Sequence, residues 1–352
     1  MRSADKTRVK RFLPIALIAL SGCLNPFRTD SIVRVEGPVD ARLEFTPNSN
    51  ERPVVEMPLD GTACSGPKVA VIDVDGLLLN TNFVGPYAAG DNPIDIFREK
   101  LDAARSPSVV AVVLRINSPG GSVTATEIMW SELLRFRQET GKPVVGCLMD
   151  HGCGGAYYLA TACDMIYAHP TTVTGGIGVI LNLYNFQGTL NLAKVENLSV
   201  KAKDSPKIDL DYRIGVLNED DKEMLIGMAD ELHGQFKRVV RSRRPKVKDA
   251  ESTFDGRVFL ARQAQERGLI DGVGHVPDAL AAARQMAGFP TAGAVILHRK
   301  SDVARTPYAT TPNVPLQATL LGVSVPAGDR NRLPTFLYLW QPDPSLERLS
   351  GK

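Results

Sequence analysis

The sequence contains few of the residues that build metal sites. It has five cysteines and five histidines among 352 residues, and no two cysteines have the Cys-x2-Cys spacing of a zinc site. Its histidines and carboxylates form no cluster along the chain that suggests a metal ligand set. We therefore expect no metal ion in this protein.

The sequence also lacks a bilayer-spanning run at its N-terminus. The apolar run Phe12–Leu20 has nine residues, too few to cross a bilayer as a helix. A basic region precedes this run and small residues follow it, a pattern that predicts a removable signal over residues 1–22. The basic residues are Arg2, Lys6, Arg8, Lys10 and Arg11.

The predicted signal ends in Leu20-Ser-Gly-Cys23, which resembles the bacterial lipobox. In a lipobox the cysteine is lipidated and becomes the mature N-terminus; the alternative is an ordinary Cys23 behind a secretory signal. Leu24 rather than Asp follows the cysteine, which argues against retention in the inner membrane. The resemblance implies a lipid-anchored protein of the bacterial cell envelope, facing the periplasm from the outer membrane.

The chain has no strong excess of charge of either sign. Its formal net charge is +2, and loss of residues 1–22, with five basic residues and one acidic residue, changes it to −2. The basic stretch Lys237–Lys248 lacks interleaved aromatic residues, which favours a solvated helix end over a nucleic-acid surface. We expect no nucleic-acid partner.

The order of apolar segments predicts an α/β fold. From residue 67 onward, short β-branched runs alternate with helical patterns, which is typical of repeated βα units and a mainly parallel sheet. The predicted strands are Val69–Val74, Val109–Ile116, Pro143–Met149 and Asp164–Ala168. The predicted helices are Ile94–Arg105, Ser122–Thr140 and Gly154–Thr161, followed by a helical C-terminal extension with Asn218–Val240 and Pro277–Ala287.

Composition divides the chain into further segments. Residues 23–66 are interrupted by proline and charge and are predicted to form a tether with one hairpin. Residues 67–288 are the predicted folded domain, and residues 289–352, rich in proline and threonine, are predicted to be an irregular tail. Within this tail, the apolar stretch Leu333–Trp340 is expected to dock on the body or on a neighbouring subunit.

The segment Asn117–Ser122 has the composition of an anion-binding turn. It lies between a predicted strand and a predicted helix, and Gly120 and Gly121 expose N–H groups that no Cβ shields. The start of a helix adds positive potential, so this pair can hold an oxyanion. The alternative is an ordinary Gly-rich turn.

Five motifs share their order and spacing with one protein family. They are Val69–Gly76, Asn117–Val123, Gly154–Ala160, Thr174–Val179 and Phe254–Phe259. Together they resemble the signal peptide peptidase A family. This resemblance implies a ClpP/crotonase-type fold and a serine peptidase with a Ser/Lys dyad that degrades membrane-derived peptides. It further implies a homo-oligomer, or co-assembly with a related subunit, and no metal or organic cofactor.

The resemblance places the catalytic base in the loop around residue 205. A Ser/Lys dyad needs a lysine whose pKa is lowered by burial, so that the neutral amine accepts the proton of the nucleophile. Lys207, in Ser205-Pro-Lys207, lies where the family carries this base, and Lys203 is the second candidate. The alternative is a solvated surface lysine. Gly120 and Gly121 are the candidate oxyanion hole.

The nucleophile position departs from the family pattern. The family carries serine in Ala-Ser-Gly-Gly-Tyr-Tyr, and an ungapped match to Tyr157-Tyr158 puts Gly154 at the serine position. Gly176 likewise replaces a serine of the second Gly-rich motif. Glycine has no nucleophilic side chain, so whether the chain is an active peptidase stays open at this stage.

Three hypotheses account for the vacant position. In the first, the chain is a non-catalytic peptide-binding or scaffold subunit. In the second, Cys153 is the nucleophile, since a thiol near a helix N-terminus can have a lowered pKa; against this, adjacent helical residues point about 100° apart. In the third, the motif shifts locally by one residue and His151 contributes to the chemistry.

An acyl-CoA hydratase or isomerase of the crotonase superfamily is an alternative from another class. It shares the fold and an oxyanion hole, but the export signal opposes it because coenzyme A thioesters are cytoplasmic. The interpretation favoured by the sequence is a signal peptide peptidase A-like homologue that acts on or binds membrane-derived peptides, with degenerate or lost catalysis.

Overall fold

The computed structural model describes most of the chain from residue 54 onward. The described residues are 54–59, 66–81, 92–183, 185, 187–192, 194, 202–204, 217–248, 251–299 and 336–340. The predicted signal and hairpin, Cys23, Cys64 and Lys207 lie outside them.

Ten strands among the described residues form one sheet. They are β1 (Val54–Pro58), β2 (Lys68–Leu78), β3 (Val109–Ser122), β4 (Val144–Cys153), β5 (Met165–Ala168), β6 (Val173–Gly175), β7 (Val258–Leu260), β8 (Gly272–Val273), β9 (Gly293–Arg299) and β10 (Leu337–Leu339). The strand order is β1-β9-β2-β3-β4-β5-β8; β10 pairs with β3, β6 with β4, and β7 with β6.

The sheet is mainly parallel, as predicted. β2, β3, β4, β5 and β8 run parallel to their neighbours in turn, β9 is parallel to β2, and β6 is parallel to β4. The antiparallel pairs of the described strands involve β1, β7 and β10. The predicted α/β class is therefore confirmed.

Helices cover both faces of this sheet. They are α1 (Pro93–Ala103), α2 (Val123–Thr140), α3 (Gly155–Ala160), α4 (Gln187–Leu192), α5 (Glu219–Arg243), α6 (Ala261–Glu266) and α7 (Val276–Ala287). On one face, α7 packs its buried residues against Val69 and Val71 of β2. On the other, residues of α1, α2, α3 and α5 share a core with Ala70 and Ile72. Successive residues of β2 thus point to opposite cores, which explains the continuous apolar run Val69–Ile72.

Local signals in the sequence set the ends of helix α2. The Ser122 hydroxyl accepts a hydrogen bond from the Ala125 N–H at 3.2 Å and caps the first turn. Gly141 follows the last turn in the left-handed conformation, with φ of 66°, which glycine adopts without strain. These caps place the start of α2 directly after the Gly120-Gly121 pair.

Three described segments outside the predicted domain belong to the sheet, and β10, in the predicted tail, is one of them. β1 lies in the predicted tether, and β9 lies in the predicted irregular tail, where it inserts between β1 and β2. The prediction of irregular structure is wrong for Gly293–Arg299, since residues Ala294 to His298 are buried in this strand. The sequence does not predict this strand, because its apolar run is short and lies in a segment rich in proline and threonine. Its partner strands β1 and β2 are also distant in sequence.

None of the described helices combines the length and the apolar character needed to cross a membrane. The longest of them, α5, carries acidic residues in its first turn and arginines in its last. The described cysteines Cys147, Cys153 and Cys163 are buried and form no disulfide.

Candidate active site

The Gly120-Gly121 pair lies in a strand rather than in a turn. β3 continues past the predicted end at Ile116 to Ser122, because β10 provides a partner on this part of its edge. Gly120 has φ of 110°, a conformation that favours glycine. Its N–H donates to the Ser118 hydroxyl at 3.1 Å, which leaves Gly121 as the donor of the pair that can face a ligand.

The N–H of Gly121 faces the carbonyl of Tyr338. β10 runs antiparallel to β3 with Tyr338 opposite Gly121. Hydrogen bonds flank this pair: Val123 N–H donates to the Phe336 carbonyl at 3.2 Å, and Trp340 N–H donates to the Pro119 carbonyl at 3.0 Å. Bonded pairs alternate along an antiparallel ladder, so Tyr338 and Gly121 form the bonded pair between them.

Gly154 occupies a tight elbow between β4 and α3. Its backbone has φ of 52° and ψ of −122°, and its N–H donates to the Gly175 carbonyl at 2.9 Å. A strained turn from a strand into a helix is how α/β hydrolases expose a nucleophile. The backbone is therefore arranged to present a side chain, but the residue at this position has none.

A groove runs beside Gly154, with β3 on one side and Ile180 on the other. The backbone of the strand β10 fills this groove. A Cβ placed on Gly154 would overlap the Tyr338 carbonyl oxygen and would stand 2.7 Å from its carbon and 3.0 Å from the Leu339 nitrogen. The Tyr338–Leu339 peptide bond thus lies directly against Gly154, in space that a side chain at this position would need.

Cys153 has the environment of a core residue. It is fully buried, and its Sγ donates to the Val173 carbonyl at 3.2 Å. Burial raises the pKa of this thiol to about 12, so it is protonated at neutral pH, whereas a nucleophilic cysteine needs the thiolate. The hypothesis of Cys153 as an alternative nucleophile is therefore not supported by the structure.

His151 lies at the edge of the groove. Its backbone N–H donates to the Asn117 side-chain oxygen at 3.1 Å, and its ring lies 5.6 Å from the Trp340 ring. The ring thus contacts the strand that fills the groove. This contact gives His151 a role in packing against the bound segment.

Of the two candidate lysines, only Lys203 is among the residues that the structure describes. Lys203 is exposed, which favours a solvated side chain over a buried base. Lys207, the first candidate, lies outside the described residues. The base assignment therefore stays a prediction.

A buried charged cluster lies on β2 and β3, toward the Gly120 end of these strands. Arg115 donates two hydrogen bonds to the Asp73 carboxylate, at 2.6 and 2.7 Å. Burial, together with repulsion from Asp73, raises the pKa of Asp75 to about 7, against the opposing effect of Arg115 and Lys100. Sequence reasoning missed this cluster, although Asp73 and Asp75 interrupt an otherwise apolar strand, which is the signal that could have revealed it.

The described residues contain no group of three or more histidine, cysteine or carboxylate side chains that could hold a metal ion. What the site offers instead is backbone: one N–H facing a peptide carbonyl, beside a strand-to-helix elbow. Those features are typical of a hydrolase scaffold, and a segment of the same chain lies across the elbow.

Comparisons with known proteins specify this class further. Residues 136–289 match the family model described as Peptidase family S49. The chain is 30% identical over 225 residues to Protease 4 of Salmonella typhi, covering 64% of this chain and 35% of that protein. It is 33% identical over 237 residues to the chloroplastic serine protease SPPA of Arabidopsis thaliana, covering 63% of this chain and 33% of that protein.

Similarity to solved structures is weaker. A mutant of the 1510-N membrane-bound stomatin-specific protease shares 13% identity with this chain at a TM-score of 0.38, covering 62% of this chain and 85% of that one. The sequence matches confirm the resemblance to the signal peptide peptidase A family. The chain spans about a third of the length of Protease 4 and the plant protease.

Proposed function

We propose that this protein is a signal peptide peptidase A-like homologue that binds peptides as extended strands and has lost serine catalysis. The observation that carries the proposal is the elbow at Gly154, which lies against a peptide carbonyl and presents only hydrogen. Covalent acyl transfer needs a nucleophilic side chain at this point. Without it, a site retains only the acceleration due to binding and the oxyanion hole.

The proposed ligands are membrane-derived peptides, in keeping with the family resemblance. The groove supplies backbone partners to a strand from β3 on one side and from Ile180 on the other, where Ile180 and Leu337 exchange two hydrogen bonds of 3.0 and 2.9 Å. Adding a strand to an exposed sheet edge binds peptides through their backbone, with side-chain pockets providing selectivity. No metal or organic cofactor takes part in the proposed binding.

We also propose that the protein is held in the bacterial cell envelope by a lipid on Cys23, facing the periplasm, and that it assembles as a homo-oligomer or with a related subunit. Support for the anchor is the lipobox-like sequence at the end of the predicted signal. Support for assembly is the pair Met224 and Met228, which lie one turn apart on the same face of α5 and are 37% and 46% exposed. Adjacent exposed apolar side chains can form part of an interaction surface.

A direct test compares the purified full chain with its Gly154→Ser variant. A fluorogenic peptide reports cleavage, and a fluorophosphonate probe reports a reactive serine. We expect no cleavage and no labelling by the wild-type chain. Sustained peptide cleavage by the wild type, with fluorophosphonate labelling of any serine, would contradict the loss of catalysis.

A further inference from the structure

Residues 336–340 lie in the groove with backbone partners on both edges. Phe336, Tyr338 and Trp340 face the β3 edge, while Leu337 exchanges hydrogen bonds with Ile180 on the other edge. We call this segment, residues 336–340, the tail strand. Hydrogen bonds tie its backbone to both walls of the groove. A substrate peptide that enters the same groove needs the same partners.

The side chain of Tyr338 fills an aromatic pocket. It is fully buried, its ring stacks on Tyr158 at 5.5 Å, and it lies 4.6 Å from the Phe236 ring. Its hydroxyl donates to the Leu232 carbonyl at 2.7 Å. The pocket thus matches both the apolar ring and the polar end of a tyrosine, and aromatic pairs of this geometry add to the free energy of burial.

The tail strand lies over both positions at which this chain lacks a serine of the family pattern. A Cβ on Gly154 would overlap the Tyr338 carbonyl, and a Cβ on Gly176 would meet the Cβ of Trp340 at 3.4 Å. A serine at 154 therefore excludes the tail strand from its present position. The glycine at the vacant nucleophile position provides the room that this strand occupies.

We propose that the tail strand is an intramolecular ligand of the peptide groove, and that the pocket around Tyr338 selects peptides with an aromatic side chain at that position. The inference rests on the proposed function, in which the groove binds extended peptides. An external peptide must displace the tail strand. Because the tail strand belongs to the same chain, its competition with an external peptide is intramolecular, so the groove is closed to weak ligands.

The test uses the full chain and a fluorescein-labelled peptide with the sequence of residues 334–341. Tyr338→Ala empties the pocket and weakens the tail strand, whereas Leu339→Ala, a truncation of a neighbouring half-buried side chain, is the matched control. Fluorescence anisotropy measures binding of the peptide. We expect Tyr338→Ala to bind it at least about tenfold more tightly than the wild type, since occupancy by the tail strand reduces the apparent affinity by the closed fraction.

A second peptide, with alanine in place of its tyrosine, tests the pocket. We expect it to bind the Tyr338→Ala chain at least about tenfold more weakly than the first peptide does, because loss of a buried aromatic ring removes most of the affinity. If Tyr338→Ala does not fold, Tyr338→Phe keeps the ring and removes only the hydrogen bond to Leu232. This variant is expected to bind the first peptide about fivefold more tightly than the wild type.

The outcomes separate this inference from the proposed function. Equal binding of the first peptide by the wild type, Tyr338→Ala and Leu339→Ala shows that the tail strand does not close the groove. Equal binding of the two peptides shows that the pocket does not select an aromatic residue, and either result overturns the inference while peptide binding stands. If no chain binds either peptide or an unrelated extended apolar peptide, the proposed function fails as well.

Discussion

The carbonyl carbon of Tyr338 lies 2.7 Å from the point where a Cβ on Gly154 would stand. The tail strand is therefore in direct contact with the elbow at Gly154. A side chain at 154 and the tail strand in its present place are mutually exclusive. Restoring a serine at 154 thus affects both the chemistry of the site and the occupancy of the groove.

The first prediction concerns Gly154→Ser. In the single variant, the serine has to adopt the positive φ of the elbow, at a cost of about 1–3 kcal/mol of stability. Its side chain also has to displace the tail strand. We expect little cleavage from this variant and clear labelling by a fluorophosphonate once Tyr338→Ala is added. An intact nucleophile raises the rate by about a thousandfold or more over a site that lacks one, and a fluorogenic peptide measures the gain.

Lysine variants in the double-mutant background identify the base. We expect Lys207→Ala to abolish the restored cleavage and Lys203→Ala, a change at an exposed side chain, to leave it unaltered. Gly154→Ala in the same background is the control for the backbone change, since it adds a Cβ without a hydroxyl. Cleavage lost with Lys203→Ala and kept with Lys207→Ala would move the base assignment to Lys203.

A second prediction concerns Cys153. Because the pKa of the buried thiol is raised to about 12, we expect maleimide to leave Cys153 unmodified in the folded protein at pH 7. Cys153→Ala is expected to leave peptide binding unchanged and to lower the free energy of unfolding by about 1–2 kcal/mol through lost packing. Mass spectrometry of the peptide that contains Cys153 reports the modification. Rapid labelling in the native state would show a reactive thiol and return Cys153 to the list of nucleophiles.

The third prediction is a dependence of stability on pH through Asp75. Its pKa rises from 3.8 to about 7 on folding, so the folded chain holds the proton more tightly than the unfolded chain. The contribution of the Asp75 carboxyl group to the free energy of unfolding is fully present below about pH 4 and is lost as the pH rises through about 7. We expect Asp75→Asn to raise the free energy of unfolding at pH 8 by about 2–4 kcal/mol and to change it little at pH 4.

Urea unfolding at the two pH values measures the effect of Asp75→Asn. The exposed Asp102, which forms an ion pair with Arg105 on the surface, provides the control variant Asp102→Asn. Surface ion pairs contribute about 0–1 kcal/mol, so this variant should shift stability little at either pH. A wild-type chain and an Asp75→Asn chain with parallel pH profiles would show that Asp75 ionises normally in the fold.

A fourth prediction concerns the N-terminus. The basic region, the short apolar run and the order Leu20-Ser-Gly-Cys23 predict that the mature chain begins at a lipidated Cys23. The protein is expressed in a bacterium with lipoprotein processing, and mass spectrometry identifies the mature N-terminal residue and its lipid. The Cys23→Ala variant should be released from the membrane fraction. A free terminus at another residue would contradict the lipid anchor.

Much of the α/β core could be predicted because its signals are local. The strand Val109–Ile116 is predicted by its own apolar run. The helix α2 is predicted by its own periodicity and by its N-cap Ser122, so neither prediction needs knowledge of distant residues. The assignment of Gly154 to the serine position rests on a match of neighbouring residues to a motif, and it stays a prediction.

What fills the site could not be predicted in the same way. The strand β10 has three residues, too short for any periodicity, and its partner β3 is more than 200 residues earlier in the chain. Glycine favours turns, and the sequence therefore predicts a turn after Ile116, but this segment pairs as a strand with β2 on one edge and with the distant β10 on the other. The apolar stretch Leu333–Trp340 predicts docking, and only the fold shows that its described part, residues 336–340, lies in the groove.

Because β9 inserts between β1 and β2, this part of the sheet can form only after a late segment of the chain is available. Gly293 follows the end of β2 at Leu78 by 215 residues, yet it pairs with the first residue of β2, Lys68. Until that late segment arrives, the outer edge of β2 is open, and β1 lacks its partner among the described strands. Non-local pairing of this kind slows folding and leaves an unpaired strand edge exposed to other chains. Chains truncated before residue 293 should therefore aggregate rather than fold.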